Sequence, residues 1–233
     1  MMFEKCSGGC EQCTVVQETP FHELDSRMLE RASETGRTLT FARGESIFHF
    51  DDDAQHFYCI QSGRVQLFRS NPQREQSFAI VGASHWVGFR DALLRAPYRH
   101  SARCLTETTV CKFHRTFIDE LMRGSTSFAA QMARLMADEW AQSEHQSYNL
   151  GSRRVMERLA DFLIGSTDTP MSVRQTEVEL PVTRETLATL LGTTTESVIR
   201  ALSDLQARGW IKLNRRHVSL VKLEELQRLV VES

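Results

Sequence analysis

Long apolar runs are missing from this chain of 233 residues. No stretch approaches the roughly 18 consecutive apolar residues that cross a bilayer, and the opening MMFEKCSGGCEQC lacks the apolar centre of a secretion signal. A cytoplasmic location with no membrane partner is therefore expected. A strong excess of one charge is missing too: 28 Lys+Arg against 30 Asp+Glu give a formal net charge of -2, which argues against a surface coated in basic residues. No His-x-His pair occurs, and His49, His56 and His85 are scattered. That speaks against a cupin-type oxygenase, which gathers histidines and a carboxylate on one metal, and no enzyme is expected.

What is present is an ordinary globular composition, 41% hydrophobic and 25% charged, with length for two modest domains. Residues 38 to 114 read as short strands, TLTFAR, ESIFHF, FYCIQS, RVQLFRS, QSFAIV, ARCLT and TVCKFH, punctuated by Gly44, Gly63, Gly82 and Gly88. Strands of this length separated by glycine turns predict a small jelly-roll or barrel. After Phe117 the pattern turns helical, and from Ser127 to about Ser147 neither glycine nor proline interrupts it. Phe128, Met132, Leu135, Glu139, Gln142 and Gln146 share one seam, flanked by Met136 and Trp140. Such a helix either packs on its own β-domain or pairs with a second copy; its length and its place between two domains favour a self-pairing dimer helix carrying Phe128, Met132, Leu135, Met136 and Glu139. Gly151 and Ser152 mark a break.

The C-terminal part runs helix (RRVMERLADFLIG), strand (EVELPV), two close helices (TRETLATLLG and TTESVIRALSDLQARG), the strands WIKL and HVSLV, and a last helix from Leu223. That order predicts a winged helix-turn-helix. The chain as a whole is thus expected to be α+β: an N-terminal arm over 1–20, a double-stranded β-helix (jelly-roll) sensor over 21–115, a long dimerisation helix over 116–150 and the winged helix-turn-helix over 151–233.

In the second close helix, Val198, Leu202 and Leu205 face a core together with Leu187, Leu190 and Leu191 of the first, and Gly192 permits the turn between them. Thr195, Glu196, Ile199, Arg200 and Ser203 are left on the outer face. An arginine there can make a bidentate contact to guanine and a glutamate can accept from cytosine, so Thr195, Glu196, Ile199 and Arg200 are the candidate base readers of double-stranded DNA. Arg184, Thr194, Thr195, Lys212 and Arg215 are candidate phosphate contacts. The local alternatives are an i,i+4 surface pair of Glu196 with Arg200 and a Thr193-x-x-Glu196 capping box. Between Ile199 and His217, Arg200, Arg208, Lys212, Arg215 and Arg216 stand against Asp204 alone, a focused positive footprint.

The segments ARGESIF, CIQSGRVQLFR, HWVGF, FAAQMARLMADEW, RVMERLADFL and TRETLATLLGTTTESVIRALSDLQARGWI, in this order over nearly the whole chain, resemble the CRP/FNR superfamily of bacterial transcription regulators. The resemblance implies a homodimer that reads a palindromic promoter site and contacts RNA polymerase, with Glu196 and Arg200 as the main base-reading pair. Ile199 stands where the FNR branch carries serine, so the half-site is expected to differ; an apolar Ile199 suits a thymine methyl.

Cyclic nucleotide binding is not expected. The superfamily's nucleotide pocket uses a glutamate and an Arg-Ser pair, and here Phe89 and Arg90 occupy the first region and His100 and Ser101 the second. SGGCEQC with the distant cysteine of TTVCKF instead resembles the oxygen-sensing FNR branch, which implies a [4Fe–4S] cluster. Cys10 and Cys13 match its CxxC and Cys111 its distant cysteine. Thr19 stands where the family's third arm cysteine is usual, which leaves Cys6 as the replacement. Cys59 and Cys104 read as small buried hydrophobes. A zinc site at Cys6, Cys10, Cys13 and Cys111, a metal-free thiol switch and a haem sensor remain as alternatives. In the dimer, Asp138, Glu139 and Glu144 would meet their symmetry mates, and that repulsion would leave pairing marginal enough for a signal to decide it.

Overall fold

A computed structural model describes residues 9–73, 75–166, 177–179 (backbone), 183–214 and 217–231. The chain divides into two compact units, Met1–Trp140 and Ala141–Ser233.

The first unit opens with three single 3-10 turns, Cys10–Gln12, Val16–Glu18 and Pro20–Glu23, which form an arm. Helix α1 (Ser26–Thr35) follows, its free N-terminus capped by the Asp25 carboxylate, which accepts from the Met28 N–H at 2.8 Å. The strands are β1 (Arg37–Phe41), β2 (Ser46–Phe48), β3 (His56–Ser62), β4 (Val65–Ser70), β5 (Glu75–Val81), β6 (Trp86–Val87), β7 (Ser101–Cys104) and β8 (Thr108–His114), with α2 (Phe89–Leu94) between β6 and β7. They form two antiparallel sheets, ordered β1-β8-β3-β6 and β2-β7-β4-β5. This is the jelly-roll that the alternating segments predict, with β6 added; a two-residue strand is too short to show a period. At Gly63, φ is 94° and a Cβ would lie 2.4 Å from Thr108 Oγ1 and 2.5 Å from the Glu107 carbonyl oxygen, so only glycine fits the turn into β4.

The core of this unit is aromatic. Phe57, Phe113 and Phe117 stack in sequence, with centroids 5.2 Å and 5.5 Å apart, and Phe21 of the arm meets Phe113 edge-on at 5.4 Å. Helix α3 (Arg115–Gly124) adds Ile118 and Leu121.

Helix α4 (Thr126–Ser152) is 27 residues long, about 40 Å at the helical rise. Two expectations about it need correcting. Phe128 and Met132 are buried within the chain itself, Phe128 with its ring 6.1 Å from Trp86, and Leu135 and Met136 pack partly against the same core. The start of the seam therefore covers its own β-domain and does not wait for a second copy; a periodic apolar stripe says that something covers it, not what. Glu139 is exposed, and Trp140 keeps 70% of its surface. The helix also continues through Gly151 and Ser152, ending only where Arg153 and Arg154 leave helical geometry.

The second unit holds α5 (Val155–Gly165), β9 (Glu177–Glu179), α6 (Arg184–Leu190), α7 (Thr195–Ala207), β10 (Ile211–Asn214), β11 (His217–Leu220) and α8 (Leu223–Val231). The sheet order β10-β11-β9 makes the wing. Leu159, Leu163, Leu187, Val198, Leu202 and Leu205 form the core, while Leu190 is half-buried. At the junction of α4 and α5 the charge anchor is Asp161, whose carboxylate meets His145 Nε2 at 3.0 Å, accepts from Asn149 at 2.7 Å and lies 3.5 Å from Arg153.

Candidate nucleic-acid interface and thiol site

Helices α6 and α7 are joined by Leu191, Gly192, Thr193 and Thr194. Gly192 has φ 63°, a left-handed conformation that side chains resist. The Thr193 N–H closes the turn on the Ala188 carbonyl at 2.9 Å. Thr194 caps α7, its hydroxyl accepting from the Ser197 N–H at 3.3 Å. The capping residue is thus Thr194 and not Thr193, and Glu196 lies in the first turn without closing a capping box. Its carboxylate is held below the usual range by its own backbone N–H and the Thr194 side chain, as a negative charge at a helix N-terminus should be.

Val198, Ala201, Leu202 and Leu205 turn inward, and Glu196, Ile199, Arg200 and Ser203 turn outward. No ion pair joins Glu196 to Arg200 among the described residues, so their charged ends stand apart from one another. Ile199 leaves half its surface exposed. Thr195 is half-buried at the start of the helix; Lys212 is exposed on β10, and Arg184 is half-buried at the start of α6, where burial lowers its pKa. Arg215, expected at the wing turn, lies outside the described residues.

In the first unit a row of paired residues crosses one sheet. Thr38 of β1 pairs with Cys111 of β8, Cys111 with Cys59 of β3, and Cys59 with Trp86 of β6. Directly paired residues point to the same face. The arm lies over that face: Phe21 packs edge-on against Trp86 at 4.8 Å, and Cys10 is pinned to α1 by its N–H, which donates to Ser33 Oγ at 2.7 Å. Gly9, with φ 66° and room for no more than 3.2 Å between a Cβ and Ser33 Oγ, sets up that approach. Gln61, two residues beyond Cys59 on the same face, donates from Nε2 to Cys111 Sγ at 2.9 Å and reaches Cys13 Sγ at 4.0 Å.

Cys13 and Cys111 thereby share the Gln61 amide, and Cys10 lies one turn of the arm from Cys13, whose N–H donates to the Cys10 carbonyl at 3.3 Å. Cys6 lies outside the described residues. Cys59 is buried on its strand, as expected, but its pairing with Cys111 is not visible in the sequence. Its thiol is pushed above the ordinary range chiefly by burial, then by Cys111, Cys13 and Cys10 as neighbouring groups. Alternation along β3 and β8 could not show this, because it fixes which face a residue takes but not which strand lies alongside. Cys104 sits on β7 in the other sheet and behaves as the small hydrophobe expected. Among the described residues no three His, Cys, Asp or Glu side chains converge on a single metal ion.

The region between β6 and β7 has a different chemistry. Phe89 is buried at the start of α2, and Asp91, 1% exposed, is held by Arg90 Nε at 3.2 Å and the Arg99 N–H at 3.1 Å. Ser101 Oγ accepts from the Phe50 N–H at 2.9 Å. Burial lowers His100 to a pKa of about 4, so its ring is neutral near pH 7.

A jelly-roll sensor, a long helix and a winged helix-turn-helix with an outward polar face define a DNA-binding transcription regulator. Residues 157–229 match the Crp-like helix-turn-helix domain and residues 38–125 the cyclic nucleotide-binding domain. The transcriptional regulatory protein btr of Bordetella pertussis is 30% identical over 193 residues, covering 81% of this chain and 78% of that protein. The fumarate and nitrate reduction regulatory protein of Escherichia coli is 26% identical over 234 residues, covering 96% and 91%. A CooA variant from Carboxydothermus hydrogenoformans shares the fold, with a TM-score of 0.75 at 20% identity over 94% of this chain and 95% of that one. The chain belongs to the CRP/FNR superfamily of transcription regulators.

Proposed function

We propose that the protein is a homodimeric, sequence-specific regulator that reads a palindromic promoter site through α7, contacts RNA polymerase, and is controlled by an oxygen-labile [4Fe–4S] cluster in its sensor unit. The observation that carries the sensor reading is the meeting of Cys13, from the arm, with Cys111, from β8, at the Gln61 amide, with Cys10 tied to Cys13 by one backbone turn, Cys13 N–H to Cys10 carbonyl at 3.3 Å. The residues fit such a group. An all-thiolate donor set suits iron–sulfur chemistry, and each thiolate takes its own iron, so convergence on one point is not required. Phe21 and Trp86 provide an apolar cover. The group would supply an oxygen-sensitive cross-link between arm and sheet. The chain's own part is to hold the arm at α1 through Ser33, to aim Gln61 Nε2 at the Cys111 sulfur, where an N–H donor stabilises thiolate charge, and to keep water off the site.

Cyclic nucleotide is not proposed as the signal: Phe89 has no acceptor for ribose hydroxyls, a neutral His100 offers no counter-charge to phosphate, and the Ser101 hydroxyl already accepts a backbone bond. For dimerisation, support comes from Trp140, whose large exposed ring follows the half-buried Met136 by one turn of α4. The Glu139 repulsion idea stays attached to this helix and is checked by whether Glu139→Ala strengthens pairing of the iron-free protein in sedimentation.

Anaerobic purification tests the sensor reading. The expected result is brown protein with a broad absorption band near about 400 nm that bleaches in air, together with weaker DNA binding and a shift toward monomer. Colourless, iron-free protein that binds DNA equally well before and after air would overturn it.

A further inference from the structure

We propose that Cys59, and not Cys6, supplies the fourth thiolate of this site, an inference that rests on the cluster reading above. The geometry is set by the sheet. The Ile60 N–H donates to the His85 carbonyl at 3.0 Å and the Ile60 carbonyl accepts from the Ser84 N–H at 2.9 Å, so Ile60 turns toward β6. Its neighbour Cys59 must turn its backbone toward β8, making Cys59 and Cys111 a hydrogen-bonded antiparallel pair. The Cα atoms of such a pair are about 5.5 Å apart, and the side chains project from one face.

That face is the one beneath the arm. Gln61 stands on it beside Cys111 and Cys13, and one turn of the arm ties Cys10 to Cys13, whose N–H donates to the Cys10 carbonyl at 3.3 Å. Four cysteines thus meet from two sources: a C-x2-C pair on the arm, and a rigid cross-strand pair, 5% and 8% exposed, on the sheet. Two fixed thiolates and one short chelating loop complete a four-thiolate donor set without any further ligand from upstream of Gly9. Thr19, at the position of the family's usual third arm cysteine, leaves one thiolate to be found, and its own hydroxyl donates to the Val16 carbonyl at 2.9 Å.

The test uses the full chain, reconstituted anaerobically with ferrous iron and inorganic sulfide under thiol reductant, in the wild type and in C6S, C59S, C59A and C104S. Iron and acid-labile sulfide are counted per protomer, and thermal unfolding of each iron-free protein reports folding. The expected result is about four irons in the wild type, C6S and C104S, and half of that or less in C59S and C59A, with iron-free unfolding profiles that stay cooperative. A full iron count in the Cys59 variants overturns the proposal. So does a lost count in C6S, which alters only the arm and decides the matter even if the Cys59 variants fold poorly. A wild type that takes up no iron overturns the cluster reading itself, a result distinct from either.

Discussion

The outward face of α7 and the thiol site under the arm are built in opposite ways. Glu196, Ile199, Arg200 and Ser203 come from two turns of one helix and stand in solvent, whereas Cys10, Cys13, Cys59 and Cys111 come from an arm and two strands and are largely buried. The first site exists wherever α7 is folded; the second exists only while two strands keep register and the arm stays docked. A surface site tolerates substitution at little cost to the fold. A buried one transmits any change into packing, which suits a sensor.

The largest effect expected from this contrast is in the sensor. Phe113 is 1% exposed, lies between Phe57 and Phe117, and receives Phe21 of the arm. Phe113→Ala should cost about 3–5 kcal/mol, and hydrogen exchange should show protection lost across β1, β3 and β8 while α7 keeps its own. Equal loss in α7 would break the contrast.

A smaller effect runs the other way. Gly192→Ala forces a side chain into φ 63° and places its Cβ 2.7 Å from Leu150 Cδ2. A cost of about 1–2 kcal/mol is expected, appearing as faster exchange in α6 and α7 with β3 and β8 unchanged.

A third effect, read in pH dependence and not in a substitution, is acid sensitivity of the first unit. Burial holds His56 and His100 at pKa values of about 4, against 6.5 in the unfolded chain. Below pH 6.5 the unfolded chain takes up protons that the folded one refuses, so stability is full above that pH and falls as pH drops toward 4. The urea midpoint should decline between about pH 7 and about pH 5, and less so in a His56→Gln, His100→Gln double variant. Equal slopes in the two proteins would contradict the assignment.

The same contrast explains what the sequence can reveal. Inward and outward positions on α7 follow from helical period alone, so Val198, Leu202 and Leu205 separate cleanly from Glu196 and Arg200. Seven strands are legible from alternation and glycine turns. Where the sequence falls short, a long-range partner decides: Phe128 and Met132 find theirs in their own β-domain, and Cys59 finds Cys111 only once β3 and β8 are aligned. The cap falls at Thr194, one residue from the Thr193 of the alternative capping box, because three threonines in a row offer the same chemistry.

The central claim is that the carboxylate and guanidinium of α7 read base edges. It is tested most directly by selecting a preferred duplex from a random pool and measuring, at one salt concentration, the ratio of its affinity to that of a scrambled duplex. The account predicts that the Glu196→Ala, Arg200→Ala double variant loses about 2–6 kcal/mol of discrimination, at least about 30-fold in that ratio, with little change in binding to scrambled DNA. A double variant with the wild-type ratio would contradict it.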